Sequence, residues 1–263
     1  MGRAKCASDV PGYTGLGNKL FCIASGLGIS KTLHREYIID RRIFRLDNPH
    51  SKLSYDYFFR DIPVGQVGSD GHQVYILNNE ANAIIYAPPP QNMIYSLNNK
   101  TDVVVPGWRQ SEKYFANVAE RVRDLFSCPK ERLYPLIEPG SAFVHVRRGD
   151  YLENGWYKTL DYYVKGMSYM SNINKWVVFS DDIDWCKQQK EFEGCKFVEG
   201  YNEIDSLWMM SKCDKGGVCA NSTFSWWGSW LINNPGKTVV MPELWFKDKT
   251  PVSDIHYGGV LAA

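Results

Sequence analysis

Two adjacent arginines follow an apolar segment near the middle of the chain, in the run His145-Val146-Arg147-Arg148-Gly149-Asp150. The residues before them alternate too weakly for a half-exposed strand and predict a buried one. A guanidinium group carries N–H donors in a planar fork that fits phosphate oxygens. Open α/β sheets bind ligands at the carboxyl ends of their strands, which is where these arginines fall. The pair therefore predicts a local phosphate site.

A second cluster of hydrogen-bonding side chains lies in the run Asn221-Ser222-Thr223-Phe224-Ser225-Trp226-Trp227, after a predicted strand and at the predicted start of a helix. Hydroxyl and amide side chains in this position are typical of helix caps. They can also donate to a phosphate that the helix dipole stabilises. The sequence leaves both interpretations open. We expect the aromatic residues to pack the helix against the sheet, although one ring could flank a sugar.

Paired carboxylates follow another predicted strand, in Ser180-Asp181-Asp182. Such a pair can ligate a metal ion, cap a helix, or accept hydrogen bonds from a ribose or a base edge. Asp182 and Asp184 have the spacing of a metal-binding D-x-D pair, but Asp184 is expected to lie within a helix. Because arginines can neutralise a diphosphate leaving group without an ion, we expect no metal site.

A glycine turn, Gly15-Leu16-Gly17-Asn18, precedes the apolar stripe of a predicted helix. Glycines let a ligand approach the backbone, and exposed N–H groups at a helix start favour an anion. An ordinary turn capped by Asn18 is the alternative. The turn lacks the spacing and the acidic residue of a dinucleotide-binding fingerprint.

The C-terminal half alternates strand-like and helix-like segments, which predicts βαβ units and a parallel sheet. The expected strands are Phe143–Val146, Trp176–Phe179, Lys196–Val198, Val218–Ala220 and Thr238–Met241. The expected helices are at about Thr159–Met170, Asp182–Lys190, Glu203–Lys212 and Thr223–Leu231. Right-handed crossovers put all the strands' carboxyl ends, and so the three polar clusters, at one edge of the sheet.

The N-terminal half is less regular. Strands are expected at Tyr37–Ile39, Val74–Leu77, Ala83–Tyr86 and Val103–Val105, and a helix is expected after Ser111, with Phe115, Val118, Val122 and Phe126 on its core face. Residues 41–72 and 87–100 are expected to form long surface loops. Exposed aromatics there, such as Tyr55, Tyr57 and Phe58, could stack on a glycan or anchor the loop. We place the domain boundary in the proline-rich stretch, giving an N-terminal α/β domain, 1–135, and a C-terminal Rossmann-like domain, 136–263.

The composition of the chain argues against some classes of partner and location. The net charge of the 263-residue chain is +1, which argues against a nucleic-acid partner. No run approaches the length of a membrane span, and the N-terminus has no signal-peptide core. The seven cysteines show no metal-ligand spacing, which indicates reduced, mostly buried thiols and a cytoplasmic protein.

Four blocks together resemble the α-1,2-fucosyltransferase family, inverting enzymes that use GDP-fucose and carry an HxRRxD motif. The blocks are Gly15–Phe21, Trp108–Phe115, His145–Tyr151, and the pair Phe179–Trp185 with Ala220–Trp230. The resemblance implies an α/β, GT-B-like fold, with two Rossmann-like domains and the active site in the cleft between them. It also implies no metal and no cofactor; the partners would be the nucleotide-sugar donor and a glycan acceptor. The C-terminal domain, 136–263, would bind the nucleotide sugar, and the loops at residues 41–72 and 87–100 of the N-terminal domain would shape the acceptor side.

The same resemblance assigns roles to individual residues. His145 would contact the guanine side of the donor, Arg147 and Arg148 the diphosphate, and Asp181 or Asp182 the nucleoside. The remaining donor-binding residues would be Gly17, Asn18, Asn221, Ser222, Thr223, Phe224 and Ser225. The chain departs from the family pattern at Lys19, where Gln is usual, and at Arg109, where an aromatic is usual. It also departs in the weakly apolar segment Lys5–Val10, which suggests a domain of a longer polypeptide.

These roles imply a single inverting displacement in which Arg147 stabilises the charge that builds on the β-phosphate. Asp150 and Glu153 are candidates for the general base that deprotonates the acceptor. Asp150 has a second interpretation, which we favour: it pairs with an arginine and holds it in place. Two other functions stay open, transfer of a different nucleotide sugar and a non-catalytic nucleotide- or glycan-binding module on the same fold.

Overall fold

A computed structural model describes residues 3–10, 12–45, 55–77, 85–246 and 254–263. The chain divides into two compact units, Met1–Phe126 with Ser253–Ile255 and Ser127–Val252 with His256–Ala263. The division follows Phe126, whereas the sequence places it after residue 135. Each unit is an α/β structure with one sheet, and every strand pairing in both sheets is parallel. The predicted α/β class with two parallel sheets is confirmed.

The sheet of the first unit has the strand order β2-β1-β4-β3. Its strands are β1 (Lys5–Asp9), β2 (Glu36–Tyr37), β3 (Gln73–Ile76) and β4 (Thr101–Pro106). Its α-helices are α1 (Leu16–Thr32), α2 (Gln91–Ser96) and α3 (Ala119–Phe126), with 3₁₀ turns at Asp56–Phe59, Ser69–Gly71, Glu112–Tyr114 and Ala116–Val118. The predicted strand Ala83–Tyr86 lies partly outside the described residues, and its described part is not a strand.

The weakly apolar segment near the N-terminus is an interior strand, β1, between β2 and β4. Its side chains are small because α1 packs closely against it: a Cβ on Gly26 of α1 would collide with Ser8 and Tyr37. The Ser8 hydroxyl donates to Cys22 O at 2.7 Å and lies 2.9 Å from the Tyr37 hydroxyl. A strand that a helix approaches this closely does not need a run of large apolar residues.

One other expectation for the first unit needs correction, and one pair of alternatives is decided. Ser111 caps only a 3₁₀ turn, through Lys113 N–H, and α3 begins at Ala119, because the non-helical φ of −129° at Phe115 interrupts the helix. Tyr55 and Phe58 are 1% and 0% exposed, so neither ring is available to stack on a glycan. They anchor the segment that carries them.

The second unit contains a six-stranded sheet in the order β10-β9-β8-β5-β6-β7. Its strands are β5 (Ser141–Val146), β6 (Lys175–Ser180), β7 (Lys196–Phe197), β8 (Gly216–Val218), β9 (Thr238–Met241) and β10 (Val260–Ala262). Its helices are α4 (Gly149–Asn154), α5 (Leu160–Ser168), α6 (Ile183–Lys187), α7 (Glu203–Lys212) and α8 (Thr223–Trp230), with a 3₁₀ turn at Lys190–Phe192. The five predicted strands and four predicted helices are present; β10 and α4 are additional.

The core of this unit lies on both faces of β5, whose six residues are all buried. On one side Tyr163 of α5 packs with Val144, Val146 and Val178. Trp226, Trp227 and Trp230 of α8 are at most 1% exposed, so these rings pack the helix rather than flank a ligand. No helix in the described part of the chain combines the length and the apolar character needed to cross a lipid bilayer.

Candidate functional site

The candidate site lies where the strand order of the C-terminal sheet reverses. In chain order the six strands run 3-2-1-4-5-6, the arrangement of Rossmann-type sheets, and the reversal falls between β5 and β8. Ligands of such sheets bind outside the carboxyl ends of the two strands at this point. Arg147 directly follows β5, and Asn221 lies three residues beyond the end of β8. The topology thus brings two of the predicted clusters to the expected ligand position.

Arg147 is held by two carboxylates and one aromatic ring. Its Nη2 lies 2.6 Å from Asp150 Oδ1, and its Nη1 lies 2.9 Å from Asp181 Oδ2. The guanidinium carbon is 5.3 Å from the centre of the Tyr151 ring. The side chain stays 31% exposed, so its remaining N–H groups can reach a ligand. Asp150 is therefore observed in the arginine-holding position that we favour.

Arg148 is fixed by the carboxylates that follow β6. Its Nε lies 2.9 Å from Asp182 Oδ2, and its main-chain N–H donates to Asp181 Oδ1 at 2.8 Å. Its guanidinium also stacks on Trp185, 3.8 Å from the ring centre. Of the two arginines it is the more enclosed, with 17% of its side chain exposed.

The paired aspartates act as arginine holders in this structure. Both oxygens of Asp181 contact the arginine pair. Asp182 accepts from Arg148 with one oxygen and caps α6 with the other, through Trp185 N–H. Asp184 lies within α6, as expected from the sequence. Among the described residues, no group of three or more histidine, cysteine or acidic side chains is arranged to hold a metal ion.

The helix α8 begins shortly after β8, next to the switch point, and its N-terminus has a conventional cap. Ser222 is the N-cap residue, and its hydroxyl oxygen accepts from Phe224 N–H at 3.3 Å. Thr223 and Phe224 occupy the partly exposed first turn of the helix, where an anion is stabilised by the helix dipole. Ser225 differs from its predicted role: it is 0% exposed, and its hydroxyl lies within hydrogen-bond distance of the carbonyls of Ala220 and Ser222. A side chain in that position stabilises the turn and cannot reach a ligand.

Asn221 also serves a different purpose from the predicted phosphate contact. Its amide nitrogen donates to Trp156 O at 3.0 Å and to Trp245 O at 2.9 Å. Because both amide protons are used, the side chain has no proton to donate to a phosphate. Asn221 instead joins two loops, the one after α4 and the one after β9.

His145 is a buried neutral base at the end of β5. Burial, together with the positive charge of Arg147, lowers the pKa of its imidazole to about 3. The ring centre lies 5.6 Å from that of Phe224. Nδ1 is buried and has no hydrogen-bond partner in the described part of the chain. At neutral pH His145 can therefore donate or accept one hydrogen bond, but it adds no positive charge.

Glu153, the other candidate base, is exposed on α4. It forms no hydrogen bond or ion pair with any residue that the structure describes. Its catalytic role stays a prediction, as do the donor contacts assigned to the other residues apart from Asn221 and Ser225.

An acidic crevice of about 430 Å³ lies beside Asp181 and Asp182, at the carboxyl ends of β6 and β7. Asp184, Glu199 and Tyr201 line its other parts. A carboxylate-lined crevice of this size suits a group that presents N–H or O–H donors, such as a ribose or the edge of a purine base.

Gly17 and Asn18 belong to the first unit, at the corresponding edge of its own sheet. The helix α1 has Gly15 as its N-cap residue, so Asn18 lies inside the first turn and is not the cap. Its Oδ1 accepts from Gln110 Nε2 at 2.9 Å, which ties the glycine turn to the loop after β4. The predicted active-site cleft between the domains stays a prediction.

Two residues of the site were not singled out from the sequence. Tyr151 lies against Arg147, and its hydroxyl donates to Asn221 O at 3.1 Å; burial raises its pKa to about 12 and keeps that proton in place. Trp185 supports Arg148. Each residue stands at the end of a block that carries the family resemblance, but that position does not distinguish a supporting ring from a core ring.

Comparison with known proteins places this arrangement in a family. The model of Glycosyl transferase family 11 matches residues 90–252, more than half of the chain. The alpha-1,2-colitosyltransferase of Escherichia coli is 34% identical over 168 residues, 56% of this chain and 58% of that protein. The galactoside 2-alpha-L-fucosyltransferase of Caenorhabditis elegans is 26% identical over 246 residues, 84% of this chain and 67% of that protein. Among solved structures, NodZ alpha-1,6-fucosyltransferase soaked with GDP-fucose is 14% identical with a TM-score of 0.49, over 88% of this chain and 93% of that chain.

The matches leave part of the relatives uncovered. The aligned segments span 58% of the colitosyltransferase and 38% of a second Escherichia coli relative, the O-antigen biosynthesis glycosyltransferase WbnK.

Proposed function

Because this chain belongs to glycosyl transferase family 11, we propose that it transfers L-fucose from GDP-fucose to a hydroxyl group of a glycan. The observation that carries the proposal is the Arg147–Arg148 pair at the switch point of a 3-2-1-4-5-6 sheet. The name of the Caenorhabditis elegans relative supports a galactoside as acceptor and a 2-linkage.

The diphosphate would bind between Arg147 and the first turn of α8. Arg147 uses two N–H groups on carboxylates and keeps the others for phosphate oxygens. The main chain at Thr223 and Phe224 adds the positive end of a helix dipole. Two carboxylates beside one arginine more than neutralise its positive charge, so the bound diphosphate would compete with Asp150 and Asp181 for the guanidinium.

The nucleoside would extend into the acidic crevice next to β6 and β7. Guanine presents N–H donors along one edge, and the carboxylates of Asp184 and Glu199 can accept them. This placement gives Asp181 and Asp182 a positioning role first, since their oxygens already hold the arginines.

The reaction would be one displacement at the anomeric carbon. The acceptor oxygen forms a bond to that carbon as the bond to the β-phosphate oxygen breaks, and GDP leaves with the electron pair. Arg147 stabilises the charge that grows on the leaving phosphate. The acceptor proton passes to a base, for which Glu153 is preferred because Asp150 is engaged with Arg147.

The base assignment has its own test. A Glu153→Gln variant should lose about 10²–10⁴ in kcat if this side chain takes the proton. Activity within a few-fold of the parent would remove Glu153 from the mechanism.

A donor with another sugar is the second candidate. The colitosyltransferase is 34% identical to this chain over 168 residues, and its name gives colitose as the sugar that it transfers. The arginines would bind the diphosphate of either donor, so the preference for one donor depends on contacts to the sugar. Comparing kcat/KM for GDP-fucose and GDP-colitose decides between them.

Calorimetric titration tests the donor site directly. GDP, GDP-fucose, GDP-mannose and UDP-galactose are titrated with and without EDTA, against the parent chain and Arg147→Ala. Micromolar binding of GDP and GDP-fucose that EDTA does not change and that the variant loses supports the proposal. Binding of the uridine nucleotide instead, or a requirement for a divalent ion, refutes it. Tight GDP binding with neither transfer nor donor hydrolysis would identify a binding module.

We also propose a cytoplasmic location. Its support is the set of seven free cysteines, six of them buried. Cell fractionation with an antibody to the chain tests it.

A further inference from the structure

Four exposed apolar side chains lie on two adjoining loops beside the candidate site. Trp156 and Tyr157, in the loop after α4, are 40% and 43% exposed, and Leu244 and Phe246, in the loop after β9, are 39% and 36% exposed. We call this group the aromatic face. Single exposed apolar residues need no explanation, but several on adjoining loops next to a polar site indicate a binding surface.

The backbone under the aromatic face is held in place. Gly155 ends α4 in the left-handed conformation, with φ 63°, and Trp156 N–H then donates back to Tyr151 O at 2.9 Å. Asn221 joins the carbonyls of Trp156 and Trp245, and Lys158 Nζ donates to Leu244 O at 2.6 Å. Exposed side chains on a fixed backbone can bind without a large entropic cost of ordering.

One aromatic ring separates this face from the diphosphate arginine. Tyr151 lies 5.3 Å from the Arg147 guanidinium on one side, and its ring centre lies 5.7 Å from that of Trp156, edge to face at 85°, on the other. The two distances put the centre of the Trp156 ring at most about 11 Å from the Arg147 guanidinium, which leaves room for the donor sugar and one acceptor sugar between them.

The sheet order separates the two ends of the proposed site. The acidic crevice lies at β6 and β7, on one side of β5. Leu244 and Phe246 follow β9, on the other side. A donor whose nucleoside lies in the crevice and whose diphosphate lies at Arg147 therefore directs its sugar away from the crevice, toward the aromatic face.

We propose that the aromatic face binds a sugar ring of the acceptor glycan, with the indole of Trp156 against the C–H face of the ring. Pyranose rings have one apolar face and a rim of hydroxyls, so they fit a half-open indole beside polar groups. The inference rests on the proposed function and adds to it the place where the acceptor binds.

The test is a steady-state comparison with lactose as acceptor at saturating GDP-fucose. The variants are Trp156→Ala, Trp156→Phe and, as matched control, Tyr169→Ala. Tyr169 is 45% exposed at the end of α5, at the opposite edge of the sheet. Trp156→Ala should raise the KM for lactose about 5- to 10-fold, Trp156→Phe should stay within about 2-fold of the parent, and the control should not change.

Calorimetry with GDP and the rate of donor hydrolysis without acceptor are measured on the same proteins. In Trp156→Ala, the affinity for GDP and the rate of donor hydrolysis should both stay within about 2-fold of the parent. Unchanged values also show that the variant folds. An unchanged KM for lactose in an active Trp156→Ala overturns the inference and leaves the proposed function intact. Loss of self-association in that variant, with KM unchanged, would assign the face to a second copy of the chain and also overturns it. A parent chain that neither binds GDP nor hydrolyses the donor overturns both.

Discussion

Arg147 and Asp181 form an ion pair of 2.9 Å, and the other oxygen of the same carboxylate accepts the main-chain N–H of Arg148 at 2.8 Å. One aspartate after β6 thus fixes both the side chain of the first arginine and the backbone of the second. Since a carboxylate–guanidinium contact of this kind is directional, the pair orients the fork before any ligand arrives.

Gly149 is required by this arrangement. A Cβ at this position would lie 2.5 Å from Asp181 Oδ2, so Gly149→Ala must displace the carboxylate. We expect the affinity for GDP to fall about 10-fold or more, a loss of at least ~1.4 kcal/mol, because Arg147 loses its orientation. Calorimetric titration with GDP measures this loss of affinity. Gly258→Ala is the matched control, since nothing lies within 4 Å of a Cβ there.

Arg147→Lys keeps the charge and removes the fork. An ammonium group cannot contact Asp150, Asp181 and a phosphate with the same geometry. We expect kcat to fall about 10²–10³-fold, with GDP affinity reduced less than in Arg147→Ala. Steady-state rates at saturating donor measure this loss. Activity within 10-fold of the parent would show that a point charge is sufficient.

His145 makes the stability of the second unit depend on pH. The folded-state pKa of about 3 is below the usual value of 6.5, so the unfolded chain binds the proton more readily. The folded form is therefore fully stabilised above pH 6.5 and loses stability as the pH falls toward 3, by up to ~1.4 kcal/mol per pH unit.

The free energy of unfolding from urea titrations between pH 7 and pH 4 measures this effect. His145→Asn should flatten the pH dependence. Part of it remains, since burial also lowers the pKa of His256. Parallel pH profiles for the parent and His145→Asn would contradict the assignment.

Asn221→Ala removes both donors that join the loops after α4 and β9. One buried and one partly buried carbonyl lose their partner, which should lower the free energy of unfolding by about 2 kcal/mol. We also expect a higher KM for lactose, because Trp156 loses its support. Asn234→Ala, which breaks a 2.7 Å bond to Asp214 O at the opposite edge, should destabilise without changing that KM. Equal KM values in the two variants would limit Asn221 to a structural role.

Some parts of this site could be predicted from the sequence because they depend on chain order alone. Arg147, Asp181 and Ser222 each follow a predicted strand, and parallel crossovers bring such positions to one edge of a sheet. The interior strand β1 is only weakly apolar in sequence because a closely packed helix requires small side chains on the strand. The sequence does not show how near α1 comes to it.

The direction of a side chain could not be predicted in the same way. Asn221 has the residue type and place of a phosphate donor, but its protons go to the carbonyls of two distant loops. Ser225 is a second example: its residue type and place also fit a phosphate donor, but the packing of α8 buries its side chain. The aromatic face depends on which rings the completed core leaves open, so no local pattern indicates it.

The six-residue helix α4 has a consequence for the order of events. It carries Asp150, a partner of Arg147, near its start, and Trp156 follows directly after its glycine end. A donor that draws Arg147 away from Asp150 acts on the same short element that supports the proposed acceptor surface. The two substrates would then influence each other's affinity through one rigid turn, and by linkage each would change the other's binding constant by the same factor.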